Sequence, residues 1–358
     1  MVFVCVGVLF MKKRLIRLAV AVGALCATVL MMCGACATTT TAPAPTPAPV
    51  SPSLGKQIRG GWNLNTPELV SSAATAGVTV AFLYQPPPEP STPLGEALSR
   101  HHMSVVSAEM SQLVSAYECT RTHTVAPKPP QGRHADYCSV NPGYTLDRLL
   151  ADVRAVATRD RSDPRVVGYW VLDDTPTWDF GSLRDVLTEI RKIIPDKLPT
   201  ICGFSAGLLA NGKDVWESGL AQNFTPRGCD MVAPYIYADS HGPDDPPLTN
   251  VDWSMSQLIP KIKTSLAENG WDPARQQLLG VGQAWAGRKT SNGAITDVPS
   301  PADVYRQADA FCQAGATGIS WYAWTITTRY RDVQSPANNR SLHEGVKDTV
   351  GICKDAGW

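Results

Sequence analysis

From residue 58 onward, short apolar runs alternate with stretches of helical period. Eight runs read as strands: Ile58–Asn65, Val78–Gln85, Ser104–Met110, Val166–Asp173, Thr200–Ser205, Met231–Ala238, Leu278–Trp285 and Gly318–Trp324. Each is apolar and ends in polar or aromatic residues. Between them, Leu146, Leu149, Leu150, Val153 and Val156 recur at helical spacing, as do Leu183, Val186, Leu187, Ile190 and Ile194. Thr66-Pro67-Glu68, Ser91-Thr92-Pro93 and Ser300-Pro301-Ala302 have the form of N-caps followed by proline in the first turn. Gly77 and Gly315 stand where helices should stop. Eight strand-then-helix units in about 300 residues predict an α/β fold, a single-domain (β/α)8 barrel. Residues 111–144 are expected to form a long loop after the third strand, on the face where barrels keep their chemistry.

Strand side chains alternate with period two, and the face toward the helices should be apolar. On that rule Ser107 and Glu109 point inward in strand three, with Val106, Ala108 and Met110 toward the helices. Tyr235, Tyr237 and Asp239 point inward in strand six, Gln283 and Trp285 in strand seven, and Ser320, Tyr322 and Trp324 in strand eight. Strand one is expected to turn Gly61, Asn63 and Asn65 inward. Strand four is apolar on both faces, so parity does not separate Asp173 from Asp174. Polar and acidic residues from distant stretches thus gather at the strands' C-terminal ends, the rim where barrel sites form.

Composition narrows the setting. Lys+Arg 32 balances Asp+Glu 32, and the body has no basic run, so nucleic acid is not an expected partner. Residues 1–36 read as an export leader: Met11-Lys12-Lys13-Arg14 is basic and Leu18 to Met32 apolar, with Met1 and Met11 both open as the start. Cys33-Gly34-Ala35-Cys36 resembles a bacterial lipobox, which would put lipid on Cys36. Ala35-Cys36-Ala37 also fits ordinary secretory cleavage, and the lipoprotein is preferred. The apolar run is short for a membrane span. Residues 37–56 are Thr/Ala/Pro-rich and form a tether, leaving 57–358 as the barrel. The membrane is expected as a partner through the lipid alone, and the protein is expected to be a monomer on the cell surface.

Six cysteines remain in the exported domain: Cys119, Cys138, Cys202, Cys229, Cys312 and Cys353. Pairing of sequence neighbours is the simplest of the possible connectivities. Cys119-x3-His123 mirrored by His134-x3-Cys138 would also suit zinc, but an exported cysteine pair is normally oxidised, so no metal is expected. There is no P-loop, dinucleotide fingerprint or H-E-x-x-H, and no cofactor is expected.

Carboxylates facing each other across a pocket suit glycosidic cleavage, in which one protonates the leaving oxygen and the other attacks or activates water. Aromatic rings are the usual platforms for sugar faces, and Trp62, Tyr84, Trp178, Tyr235, Tyr237, Trp285, Trp321 and Trp324 lie at or near strand ends. The segment Gly168-Tyr169-Trp170-Val171-Leu172-Asp173-Asp174-Thr175-Pro176 resembles the strand-four ending of glycoside-hydrolase barrels, where Asn-Glu-Pro or Asp-Glu-Pro supplies the acid/base. The resemblance implies Asp174 as acid/base and Asp173 as a binder of a sugar hydroxyl. It departs in having Asp for Glu, and in Gln283 at the strand-seven position where that family keeps a glutamate nucleophile; a neutral amide cannot attack. Glu109 or Asp239 is then the second carboxylate.

The reading is an extracellular hydrolase of oligo- or polysaccharide with Asp174, Glu109 and Asp239 catalytic. Asn63, Trp62, Asp173, Tyr235, Tyr237, Gln283, Trp285 and Trp324 are expected to bind substrate. Two alternatives stand: a barrel that binds sugar without cutting it, and an esterase built on Ser205 in Gly203-Phe204-Ser205-Ala206-Gly207 with His343. His241, near Asp239 and Asp244-Asp245, lies in a Pro-rich loop and reads as loop polarity.

Expressed with its leader in a bacterial host, the mature chain is expected to begin at a lipid-modified Cys36. Mass spectrometry of the N-terminal peptide checks this, and Cys36→Ala should release the protein from the membrane fraction.

Overall fold

The computed structural model describes residues 58–125, 143–173, 180–205, 228–237, 240–241, 251–268, 270–289, 295–296, 298–326 and 330–354. The expected leader and tether, with Cys36, lie outside the described residues. Eight strands close into a parallel barrel: β1 (Ile58–Trp62), β2 (Val80–Leu83), β3 (Ser104–Ser107), β4 (Val166–Leu172), β5 (Thr200–Ser205), β6 (Met231–Ile236), β8 (Gln277–Gln283) and β11 (Ala316–Tyr322). Around the ring the order is β1-β11-β8-β6-β5-β4-β3-β2, so chain neighbours are sheet neighbours. The expected (β/α)8 barrel is the fold.

Helices α1 (Pro67–Thr75), α2 (Pro93–Arg100), α3 (Glu109–Val125), α4 (Leu146–Asp160), α5 (Phe180–Ile193), α6 (Val251–Glu268), α7 (Pro301–Gln313) and α8 (Arg340–Asp348) form the outer layer. The expected caps hold. Thr66 Oγ1 accepts from Leu69 N–H, Thr92 Oγ1 from Gly95 N–H, and Ser300 forms a reciprocal capping box with Asp303. Gly77 (φ +80°) and Gly315 (φ +100°) adopt the left-handed conformation just past α1 and α7. Much of the loop expected after strand three is helix: α3 runs to Val125, burying Met110, Val114 and Glu118 at four-residue spacing. No described helix is long and apolar enough to cross a membrane.

Four short strands make a second sheet, in the order β12-β9-β10-β7: β7 (Ser240–His241), β9 (Ala286–Lys289), β10 (Ile295–Thr296) and β12 (Tyr330–Gln334). They follow the C-terminal ends of β6, β8 and β11. This sheet was not anticipated, because its strands are too short to show a period.

Two disulfides follow neighbour pairing. Cys202–Cys229 ties β5 to the start of β6, and Cys312–Cys353 ties α7 to the final turn, with sequence separations of 27 and 41 residues. Loops of this length give about 3.5–4 kcal/mol each by loop-closure entropy. Cys119 is also disulfide-bonded and so is no thiolate ligand for zinc; Cys138 lies outside the described residues.

The core has two layers. An outer one joins strands to helices, and an inner one fills the barrel with residues from every strand, including Ile58, Trp62, Phe82, Val106, Ala108, Trp170, Ile201, Ala233, Tyr235, Leu279 and Val281. Large rings are matched by glycines. A Cβ on Gly60 would lie 2.4 Å from the Phe82 ring, and one on Gly203 would lie 1.8 Å from Trp170.

Gly203→Ala is therefore expected to destabilise the barrel by about 3 kcal/mol, the upper end of ordinary overpacking. Urea unfolding monitored by tryptophan fluorescence measures it.

Candidate functional site

The C-terminal mouth is built from the last inward residues of the strands. Val80 and Phe82 fill the interior from β2, and two residues on, past the strand end, Tyr84 packs on the same cluster. Trp62 closes β1, Asp173 follows β4, Tyr235 and Tyr237 end β6, Gln283 ends β8 and Tyr322 ends β11.

Their rings form a continuous crescent. Tyr84 lies 5.2 Å from Trp62, Trp62 lies 6.0 Å from Tyr322, and Tyr322 lies 5.7 Å from Tyr237. Tyr237 stacks on Tyr235 at 5.8 Å and meets Trp285 edge-on at 6.2 Å. Beneath them Trp62 rests on Phe82 and Trp170, at 4.7 and 4.8 Å. Each such pair adds about 0.5–1.5 kcal/mol beyond burial and fixes the rings' tilt. Trp62 Nε1 donates to Ser320 Oγ at 3.2 Å, which locks its indole.

One described carboxylate belongs to this crescent. Tyr84 Oη donates to Asp173 Oδ2 at 2.7 Å. Burial first, and then the charge of Asp173, push the Tyr84 phenol well above the usual tyrosine range, with Tyr322 and Tyr237 adding to it. Tyr84 thus stays a neutral donor and orients Asp173. Nothing in local composition marks this pair. The alternation Val80, Phe82, Tyr84 was the available signal, and its inward face is apolar until the last position.

The other expected site residues divide. Tyr235, Tyr237, Gln283 and Trp285 come together at this end of the barrel, as the parity of strands six and seven predicts, and Trp62 joins them from strand one. The Gln283 side-chain amide is fully buried and donates to Trp285 O at 2.9 Å. Asn63 takes a left-handed backbone (φ 62°), and its amide donates to Thr325 O at 2.9 Å, joining the loop after β11 to the mouth. Asp174 and Asp239 lie outside the described residues.

Four expectations are overturned. Glu109 begins α3 instead of ending β3, and its carboxylate binds Arg159 Nη2 at 2.7 Å, between α3 and α4. Arg159 also binds Asp160 at 2.7 Å, and burial raises the Asp160 pKa above the ordinary carboxylate value. In strand three Val106 and Ala108 face the interior while Val105 faces the helices, the reverse of the expected parity. Trp324 lies past the end of β11, where strand alternation no longer applies. Its ring packs in the outer layer, Nε1 donates to Ser72 Oγ at 3.2 Å, and His343 abuts it. Strand one is reversed as well: Trp62 is inward, and a Cβ on Gly61 would meet Leu64, Val78 and Trp324 of the outer layer.

His343 Nε2 contacts Ser72 O and Thr75 Oγ1 of α1, each at 3.1 Å. That places it beside β1, across the barrel from β5 and Ser205. The serine-elbow reading loses its base. Among the described residues no three His, Cys, Asp or Glu side chains gather as a metal site.

No family model matches the chain, and no curated protein matches it in sequence. Solved structures match in fold. A glycoside hydrolase family 5 mannosidase from Rhizomucor miehei aligns with TM-score 0.52 at 10% identity, over 84% of this chain and 94% of that one. A β-glucuronidase from Ruminococcus gnavus aligns with TM-score 0.50 at 11% identity, over 82% of this chain and 50% of that one. The chain shares the fold of glycoside-hydrolase barrels.

The Tyr84–Asp173 pair has a measurable signature. Neutral Tyr84 is favoured in the folded state, so its contribution is complete below about pH 10 and is lost as pH rises toward its folded pKa. In alkaline titration followed by phenolate absorbance, Tyr84→Phe should delete one late-titrating phenol. It should also lower stability by about 2 kcal/mol near neutral pH, the size of a hydrogen bond to a charged group.

Proposed function

We propose that this barrel acts on an extracellular carbohydrate, seating the chain on its aromatic crescent and hydrolysing an O-glycosidic bond. One observation carries the reading: a carboxylate at the end of β4, Asp173, is held by Tyr84 inside a crescent of rings at the C-terminal mouth. Flat aromatic faces take the apolar faces of sugar rings, and an oriented carboxylate accepts from paired hydroxyls.

In the proposed reaction Asp174, next in the chain to Asp173, gives its proton to the glycosidic oxygen as the bond to the anomeric carbon breaks. Asp239, which follows β6, takes a proton from the water that attacks that carbon from the opposite side. A base acting through water needs a gap of roughly 6.5–9.5 Å between the two carboxyls, and it inverts the anomeric centre. Glu109 has no part in it, because Arg159 holds it in the helix layer. Mannosides and glucuronides head the panel of substrates, since the aligned structures are a mannosidase and a glucuronidase. The oxidised cysteines support a site of action outside the cytoplasm.

The second reading, binding without cleavage, is favoured by Gln283. It occupies the end of the seventh barrel strand as a buried amide committed to Trp285 O, so no nucleophile stands there.

The test is reducing-end release and binding on β-mannan, glucuronoxylan and related glycans. Wild type is expected to cleave at least one. Asp174→Asn should lose 10²-fold or more in turnover, as loss of a general acid does, while still binding. Binding without turnover by wild type would move the protein to the second reading, and neither binding nor turnover would overturn both.

A further inference from the structure

The seventh barrel strand ends in an arrangement that strand pairing alone does not provide. Ala284 N–H donates to Tyr322 O at 2.8 Å, on the β11 side. By strand alternation the N–H and C=O of Gln283 face the other way, toward β6. The β6 pairing stops one residue earlier, with Ile236 opposite Gly282. A helix residue reaches the Gln283 backbone on this side. Gln307 of α7 accepts from Gln283 N–H at 2.8 Å through Oε1 and donates to Gln283 O at 3.2 Å through Nε2. Gln307 is fully buried, as is Gln283. One side-chain amide pairs with the Gln283 backbone as a neighbouring strand would, and it matches the donor and acceptor in the right order.

The chain of contacts continues into the mouth. The Gln283 side chain binds Trp285 O at 2.9 Å, and the Trp285 indole, buried, meets Tyr237 edge-on. Tyr237 stacks on Tyr235 and lies tilted against Tyr322. A buried amide with both hydrogen bonds made has one orientation, because the flipped amide would set Nε2 against Gln283 N–H and Oε1 against Gln283 O.

We infer that Gln307, on a helix outside the barrel, is a positioning residue for the sugar-binding mouth: it fixes the Gln283–Trp285 turn, and through it the Trp285–Tyr237 wall on which the glycan rests. The inference rests on the carbohydrate reading for its ligand. The positioning itself is measurable without any ligand.

The experiment uses the mature protein labelled with 5-fluorotryptophan, its Trp285 fluorine line assigned with Trp285→Phe. Gln307→Met keeps the length but removes both hydrogen bonds. It should shift or broaden the Trp285 line while the Trp62 and Trp170 lines hold. An unmoved Trp285 line, or all three moving together, would overturn the inference. The second variant is Gln307→Glu. A protonated carboxyl offers one donor and one acceptor, as the amide does, whereas a carboxylate faces Gln283 O with no donor. Burial raises the pKa of such a carboxyl. Gln307→Glu should therefore hold the Trp285 line near its wild-type position at about pH 5 and displace it at about pH 8, with wild type unchanged between them. A Gln307→Glu line independent of pH would also overturn it.

Binding is read with mannohexaose. Gln307→Met should weaken it about tenfold at unchanged secondary structure, a factor worth about 1.4 kcal/mol. Wild-type affinity retained in Gln307→Met would overturn the link to the mouth. Wild type failing to bind mannohexaose or any glycan of the panel would count against the carbohydrate reading, and the fluorine lines would still decide the positioning.

Discussion

The structure depends on fitting large aromatic rings into a closed eight-stranded barrel. Trp62, Phe82 and Trp170 occupy the interior and touch one another, and Gly60 and Gly203 on adjacent strands give room to Phe82 and Trp170. Protein interiors pack to crystal density, so neither partner can change size alone. The top of this core is also the floor of the mouth. Trp62 belongs to both, resting on Phe82 below and contacting Tyr84 and Tyr322 above. The ring surface of the mouth is thus the last layer of a packed core, and its rings have little freedom to reorient.

Preorganisation extends to the charge. Asp173 is oriented by Tyr84, itself anchored in the ring stack through Trp62. A neutral phenol beside a carboxylate donates without neutralising it, so among the described residues the mouth holds an oriented, hydrogen-bonding carboxyl group among aromatic faces. On the opposite side, β9 and β12 extend the chain past β8 and β11 as a small antiparallel sheet. Helix α7 reaches in through Gln307 where barrel pairing ends.

Parity arguments succeeded in β6 and β8 and failed in β1 and β3. In β8, Gly280 and Gly282 face outward because Phe311 and Trp321 press on them, which leaves Leu279, Val281 and Gln283 inward as expected. In β6 the inward tyrosines were clear for the same kind of reason. In β1 and β3 both faces are packed, Trp62 and Val106 inside and Gly61 and Val105 against the outer layer, since a barrel has one hydrophobic layer inside and another outside. Polar character near a strand end then says little about direction. Glu109 is polar because a helix begins there, with Arg159 beside it.

The sequence by itself determined the alternation of strands and helices, the helix starts at Thr66, Thr92 and Ser300, the neighbour pairing of Cys202–Cys229 and Cys312–Cys353, and so the barrel. These are local matters of period, capping and short loop closure, and each is written within a few tens of residues. Tertiary structure alone decided which rings meet, that Tyr84 serves Asp173, that Glu109 and Trp324 leave the site, and that Gln307 completes the edge of β8. Those partners stand 89, 50, 252 and 24 residues apart. Closing the cylinder sets their distances, and no local pattern of apolar and polar positions encodes that closure.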